Sequence, residues 1–507
     1  TAISIYNSSS PDQVEYLVDH CKAGFGFVED ASFLERFESV RGSLPALKTL
    51  GVVNAEGASG HDVTYEQLLD NDPVDLDEAA TIAQPEDLAT LIYTSGTTGR
   101  PKGVMLTHYN VAWTVDSLRR CFPLEDLNGL RAVSYLPMAH IAERVSSHYQ
   151  QAFNAIEVTC CPDAGQIAAY AREVRPQIMF GVPRVWEKLQ AGVQGALAAD
   201  PEKEKSFNDG VAAAIPIAEA MDWDRATDEQ KATYEFLDEA AFKGVRELLG
   251  LDALEVAITG AAPITAELLS WFRAIGVPLS EIYGMSESSG PMTWTATKVK
   301  AGTVGPAIPG CEVKLAEEDN EIICRGGNVF QGYLDAPDKT AEALDEDGWL
   351  HSGDIGEMDE DGYVSIVDRK KELIITAGGK NLSPANLEAK LKMIPLVGQA
   401  CAIGDDRPFV SALVVLDPDV APAWAEKQGI EFDTLADLAD RPEVQKQIDD
   451  DLVEAMADFN NAERVKKVKV LGNEWLPDSD ELTPTSKLKR RGIHQNYATE
   501  IEALYEK

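Results

Sequence analysis

The chain has 507 residues, 44 % of them apolar and 26 % charged. That is an ordinary globular composition, long enough for roughly three units at about 150 residues each, and no apolar run reaches the ~18 residues of a membrane span. A net charge of −40 favours solubility and weighs against nucleic-acid binding, so a polyanionic ligand would have to be met by local basic groups.

In chain order, Thr1 is followed by no basic-then-apolar leader, so no signal peptide is read. TAISIY reads as a strand of a sheet in the large domain. A helix from Pro11 follows, with Val14, Leu17 and Val18 at helical spacing, then a second strand, GFGFVED (24–30). A start inside a strand is expected of a fragment or a trimmed product. LATLIYT (88–94), RAVSYLP (131–137) and PQIMFG (176–181) read as strands. GQIAAYAREVRP (165–176) and VWEKLQAGVQGALAA (185–199) read as helices. This alternation predicts an α/β architecture with a largely parallel sheet. Residues 195–250 are acidic, alanine-rich and helical in period, an inserted helical region. LEVAITG (254–260) is a strand, PITAELLSWFRAIG (263–276) an amphipathic helix and VPLSEIYG (277–284) a strand.

From about 300 to 368 glycine and proline become frequent, and CEVKL (311–315) and NEIICRG (320–326) alternate around a turn, as in a small antiparallel barrel or sheet. A last unit of α+β texture begins near Asp368. It has strands KKELIIT (370–376), QACAIG (399–404), FVSALVVL (409–416) and ERVKKVKVL (463–471). Its helices are SPANLEAKLKMI (383–394), with Ser383 as N-cap and Pro384 at N1, and VQKQIDDDLVEAMADFN (444–460). Seven scattered cysteines without a C-x-x-C pair argue for a reducing compartment and against a zinc site. Of the basic clusters, Lys466, Lys467 and Lys469 read as a solvated face; Lys487, Lys489, Arg490 and Arg491 form the other.

TSGTTGRPKG (94–103) follows an apolar strand but is not a Walker A loop. Counted from Gly96, Pro101 stands where the second Gly belongs, and Gly103 follows Lys102 where a magnesium-holding hydroxyl is needed. By itself such a segment is equally a flexible surface loop. At the carboxyl end of a strand, its N–H groups and hydroxyls can surround phosphate oxygens, and Lys102 adds a charge.

Together with LPMAHIAER (136–144), GAAP (260–263), YGMSES (283–288), DGWLHSGDIG (347–356), DRKKELI (368–374) and PTSKLKR (484–490), this loop resembles the ordered motifs of the adenylate-forming enzymes. Those include acyl-CoA synthetases, peptide-synthetase adenylation domains and firefly luciferase. GVPRVWEKL (181–189), the helical insert and TAGGKNLSPANLE resemble the bacterial, actinobacterial-type long-chain fatty acyl-CoA synthetases. Ser486 stands before Lys487 where many relatives have Gly, a form usual in the long-chain branch.

The resemblance implies a large AMP-binding domain over 1–368, its 300–368 part barrel-like, and a mobile α+β C-terminal lid domain over 369–507. It also implies that family members carry a further N-terminal segment before TAISIY. It implies that Thr94, Ser95, Gly96, Thr97, Thr98, Gly99 and Lys102 grip the triphosphate, and that Tyr283 stacks on adenine beside Gly260, Ala261 and Ala262, with Gly284 and Ser286 adjacent. Asp354 and Arg369 would hold the ribose, and Glu287 and Thr94 would hold Mg²⁺. Lys487 would bridge the α-phosphate and the carboxylate, Lys371 would be the hinge, and His140 would line the acyl entrance. The implied reaction is ATP-dependent ligation of a long-chain fatty acid to coenzyme A through an acyl-adenylate, releasing pyrophosphate and AMP. The implied partners are fatty acid, ATP and CoA, with no nucleic acid. The expected location is cytoplasmic, with peripheral membrane contact and oligomeric state left open. Two rivals stand beside it. A fatty acyl-AMP ligase would carry an insertion near the domain boundary, and none is seen between Asp368 and Leu391. A non-catalytic nucleotide-binding scaffold would not need Lys487, Glu287 and Asp354.

Overall fold

The computed structural model describes residues 1–506 except 95–99, 371, 376–380, 406, 458, 462, 477–478 and 484–486. Its organising element is a five-stranded sheet in the order Leu279–Glu281, Val256–Thr259, Ile178–Gly181, Arg131–Ser134, Glu157–Cys160. All of its pairings are parallel. Parallel strands buried on both faces need continuous apolar runs, and Val256–Thr259 is buried at every position. Because the strands run the same way, their carboxyl ends open on one edge. The segments leading to GAAP, Tyr283 and His140 all leave the sheet there.

A second sheet joins Ala2–Ile3, Leu88–Thr94, Lys102–Thr107 and Gly332–Tyr333. Ala2 and Ile3 pair with Thr90 and Leu91, so TAISIY does contribute a strand, though a short one. The helix Pro11–His20 buries Val14, Leu17 and Val18 as its spacing predicts. The insert forms the helices Pro201–Asp222, Asp228–Leu237 and Lys243–Leu249. Phe207 and Phe242 from it pack edge to face, 5.9 Å apart, beside Trp271. Within 300–368 the strands Glu312–Leu315, Glu321–Arg325, Leu350–Met358 and Val364–Arg369 form a four-stranded antiparallel sheet.

The smaller C-terminal domain has a three-stranded sheet of Val397–Ile403, Val410–Leu416 and Val465–Leu471. Ser383 caps the helix Pro384–Leu391, accepting from the Asn386 N–H, with Pro384 at N1. Two helices not anticipated from the sequence, Val420–Gln428 and Leu435–Ala439, cover this sheet with Pro442–Ala455. Among the described residues each hydrophobic cluster lies wholly on one side of residue 368. What crosses is charge. Arg184 pairs with Asp417, Lys188 with Asp419 at 3.1 Å, Lys390 with Glu267 at 2.6 Å and Lys392 with Glu187 at 3.9 Å.

Candidate active site

A cleft of about 2070 Å³ lies over the carboxyl edge of the parallel sheet and beneath the C-terminal domain. Register builds its floor. Thr259 pairs with Glu281, which sets Gly260 beside Ile282, and a Cβ on Gly260 would stand 2.7 Å from the Ile282 side chain. The next residue, Ala261, has φ +68°, a conformation that costs energy for a side-chain-bearing residue and is found at ligand-binding turns. Tyr283–Met285 then pairs back on Gly290–Thr293 so closely that a Cβ on Gly284 would lie 1.8 Å from the Gly290 carbonyl. Ala261, Ala262, Tyr283, Gly284 and Ser286 line the cleft. Gly260 shapes the turn beneath them.

Two polar clusters project from this floor. In the first, the Tyr283 hydroxyl donates to Asp354 Oδ2 at 2.6 Å, and Arg369 Nε stands 3.3 Å from Asp354 Oδ1. Asp354 and Arg369 are register partners on neighbouring strands. Burial pushes the Asp354 carboxyl up, while Arg369 and the Tyr283 hydroxyl pull it down. In the second, the Tyr333 hydroxyl donates to Glu287 Oε1 at 2.6 Å, and Lys102 Nζ sits 3.9 Å above the Tyr333 ring. Thr94 pairs with Lys102 across the strands that flank the loop, and both line the cleft. Ser95, Gly96, Thr97, Thr98, Gly99 and Lys371 lie outside the described residues.

Lys487 reaches the same cleft from the C-terminal domain. Burial pushes its ammonium down to about 8; Arg369 adds to that, and Asp354, Glu287 and Glu372 oppose it. His140 caps the helix Ile141–Glu143, its Nδ1 accepting from the Ala142 N–H at 3.1 Å. That bond leaves Nε2 as the protonated nitrogen. Burial, then the Lys487 charge, push His140 down to about 3. The lining also has an apolar part, Leu118, Phe122, Ile178, Phe180, Ile258 and Trp294.

The donor set suits a hard cation bound with phosphates. Glu287 is 5 % exposed, one oxygen is taken by Tyr333, and it has no ion-pair partner among the described residues. A buried carboxylate without a counter-charge is costly. A cation that keeps waters and phosphate oxygens needs only one or two protein oxygens, and no cluster of three His, Cys, Asp or Glu ligands stands among the described residues.

Sequence reading did not single out three cleft residues. Tyr333 arrives from 230 residues beyond the loop through its strand pairing with Val104. Glu281, 9 % exposed and pushed up to about 8 by burial, precedes Tyr283 by two but read as an ordinary strand residue. Arg490 stands in a basic run and ends the PTSKLKR motif, with no role of its own read there.

Comparison with known proteins identifies the family. The model of the family described as AMP-binding enzyme matches residues 1–334, and that of the AMP-binding enzyme C-terminal domain matches residues 371–507. The chain is 42 % identical to a Mycobacterium tuberculosis protein named as a fatty-acid–CoA ligase, fadD11, over 85 % of this chain and 76 % of that one. It is 35 % identical to the long-chain-fatty-acid–CoA ligase FadD15 of Mycobacterium bovis, over 100 % of this chain and 84 % of the relative. The A domain of a carboxylic acid reductase from Segniliparus rugosus, solved with AMP and a carboxylic acid, superposes with TM-score 0.74 at 21 % identity, covering 99 % of this chain and 78 % of that one. The chain belongs to the AMP-binding, adenylate-forming enzyme family.

Proposed function

We propose that this chain ligates a long-chain fatty acid to coenzyme A at the expense of ATP, through an acyl-adenylate. The observation that carries the reading is one cleft lined by the Tyr283–Asp354 pair, buried Glu287, Lys487 and a set of apolar side chains. Tyr283 would lie against adenine, and Asp354 and Arg369 would hold the ribose. The fatty carboxylate attacks the α-phosphorus, an acyl–oxygen–phosphorus link forms, and the bond to pyrophosphate breaks. Two anions meet in that step, so Lys487 and Lys102 stabilise charge as it moves. Glu287 and Thr94 would hold Mg²⁺, which supplies positive charge to the phosphates when bound. The Lys487 ammonium must be kept protonated, and the phosphates themselves favour that form.

In the second half-reaction the CoA thiol loses its proton and attacks the acyl carbon, and AMP leaves. His140, pushed down to about 3, is a weak base, so this step relies on proximity. We place the domain boundary at 368/369 and the pivot at Lys371, on its place in DRKKELI. The interface without a shared core suits such a rearrangement. Among the described residues no helix is long and apolar enough to cross a membrane, and membrane contact could only be peripheral in that part.

The test is a screen of fatty acids by chain length with ATP, Mg²⁺ and CoA, scoring AMP, pyrophosphate and acyl-CoA together. Equal amounts of the three are expected, greatest with long chains. Acyl-AMP accumulating without CoA consumption would make the protein an acyl-AMP ligase, and nucleotide binding without turnover would make it a scaffold.

A further inference from the structure

Three residues after Lys487 the chain enters the helix Arg490–Asn496. Its first side chain turns back into the C-terminal domain. Arg490 Nη1 and Nη2 donate to the two oxygens of Glu388 at 2.7 and 2.9 Å, and Nε donates to Glu372 at 3.2 Å. Glu388 is 6 % exposed and also accepts from the Ala402 N–H at 2.8 Å, which fixes it to the central sheet. Glu372 directly follows Lys371. Burial works against the Arg490 charge, but the Glu388 carboxylate outweighs it and the pKa is raised.

On either side of Lys487, Leu482 and Leu488 pack with Cys401, Ile403, Leu413 and Val415 of the sheet, and hydrogen bonds run within the segment. The Lys487 N–H donates to Thr483 Oγ1 at 3.0 Å, its carbonyl accepts from the Thr483 N–H at 2.8 Å, and Lys489 N–H reaches Glu481 O at 2.7 Å. These bonds hold the shape of the loop. The leucines seat the segment on the sheet without fixing its direction; Arg490 adds a directed link to the sheet through Glu388 and to the segment after the pivot through Glu372. A buried ion pair is a poor way to gain stability alone, since apolar packing does as well or better. A bidentate guanidinium–carboxylate pair, however, fixes direction as well as distance.

We infer that Arg490 is a positioning residue for acyl-adenylate formation. Its grip on Glu388 and Glu372 makes the Lys487 loop and the segment after the pivot one rigid piece, so that Lys487 enters the cleft at a fixed place when the domain docks. This rests on the reading of Lys487 and the pivot given above. Glu372 and Glu388 belong to the same domain as Arg490, so the brace travels with the domain and acts on where Lys487 arrives.

The experiment measures the two half-reactions separately in Arg490→Lys and Glu372→Gln. Arg490→Lys keeps the charge and loses the fork. Acyl-AMP formation should fall about 100-fold, the cost of misplacing a reacting group by about 1 Å. The ATP KM and the release of acyl-CoA from supplied acyl-AMP should change by less than about twofold. Glu372→Gln leaves the Arg490–Glu388 pair in place, so it keeps the test valid if Arg490→Lys does not fold. It should show the same split at about threefold to tenfold. Parallel loss of both half-reactions, or no loss in either variant, overturns the brace while leaving the ligase reading intact. Absence of acyl-AMP formation in the wild-type enzyme overturns both.

Discussion

The two halves of the active site are built by different physics. On the large-domain side Tyr283, Asp354 and Glu287 are each less than 10 % exposed and bonded directly to one another or to Tyr333. Tyr283 and Asp354 sit on strands whose register is set by antiparallel pairing, Glu287 on the helical turn Ser286–Ser288 that follows, and Tyr283 belongs to a buried core. On the other side Lys487 depends on how the C-terminal domain docks, and the described docking contacts noted above are ion pairs without a hydrophobic cluster in common. Packing of the first kind is hard to undo locally. Partly exposed ion pairs are worth about 0–1 kcal/mol each and weaken with salt. On the proposed reading, the first half is preorganised for the nucleotide and the second is held loosely enough to leave.

Changes on the packed side should damage both half-reactions, because AMP is held throughout. Asp354→Ala removes the partner of the buried Tyr283 hydroxyl and of Arg369. It should lower kcat/KM for ATP and the use of supplied acyl-AMP alike, each about 100-fold, the worth of a lost charged hydrogen-bond partner. Steady-state rates with each substrate check it.

The docked side should show the lysine's titration. With the free ammonium pushed down to about 8, Lys487 is charged below that pH and neutral above it. Acyl-AMP formation, as kcat/KM, should therefore fall about tenfold per unit above pH 8. Lys487→Arg, whose charge persists past pH 12, should flatten that limb in a pH–rate profile.

A smaller effect is expected from loosening the dock itself. Asp417 is 5 % exposed in its side chain and held low by the Val420 N–H and Arg184 against the cost of burial. Asp417→Asn should slow acyl-AMP formation about threefold to tenfold and spare thioester formation. Raising the salt concentration should reduce the difference between variant and wild type.

The smallest effect belongs to Glu281, a buried carboxyl pushed up to about 8. Unfolded, it would release its proton near pH 4.5 while the folded protein keeps it. Stability is therefore lost as pH rises from about 4.5 to 8. Glu281→Gln should raise stability at pH 7 by about 3 kcal/mol with no gain at pH 4, read from melts at both pH values, and should leave both half-reactions within about twofold.

The packed half was the more legible in the sequence. Apolar runs such as LEVAITG and LATLIYT announce buried strands, and the motifs are contiguous, so Tyr283, Glu287 and Asp354 could be named before any fold was known. VPLSEIYG read as one strand. It breaks at Ile282, where Gly260 crowds the backbone. KKELIIT read as a strand through Thr376; among its described residues Glu372 pairs with Arg490 and Ile374–Ile375 forms the strand. The links that complete the site are long-range pairings without a local mark. Tyr333 meets Glu287 across 46 residues, Arg490 meets Glu388 across 102, and Arg184 meets Asp417 across 233.

The most direct measurement of the divided site is Lys487→Ala assayed twice, once from fatty acid and ATP and once from supplied acyl-AMP and CoA. Acyl-AMP formation should fall by about 1,000-fold or more, the scale of a lost charge-stabilising group, while acyl-CoA release from the adenylate stays within about twofold of wild type. Equal losses in the two assays would contradict the account, since they would place Lys487 in the packed, permanent half of the site.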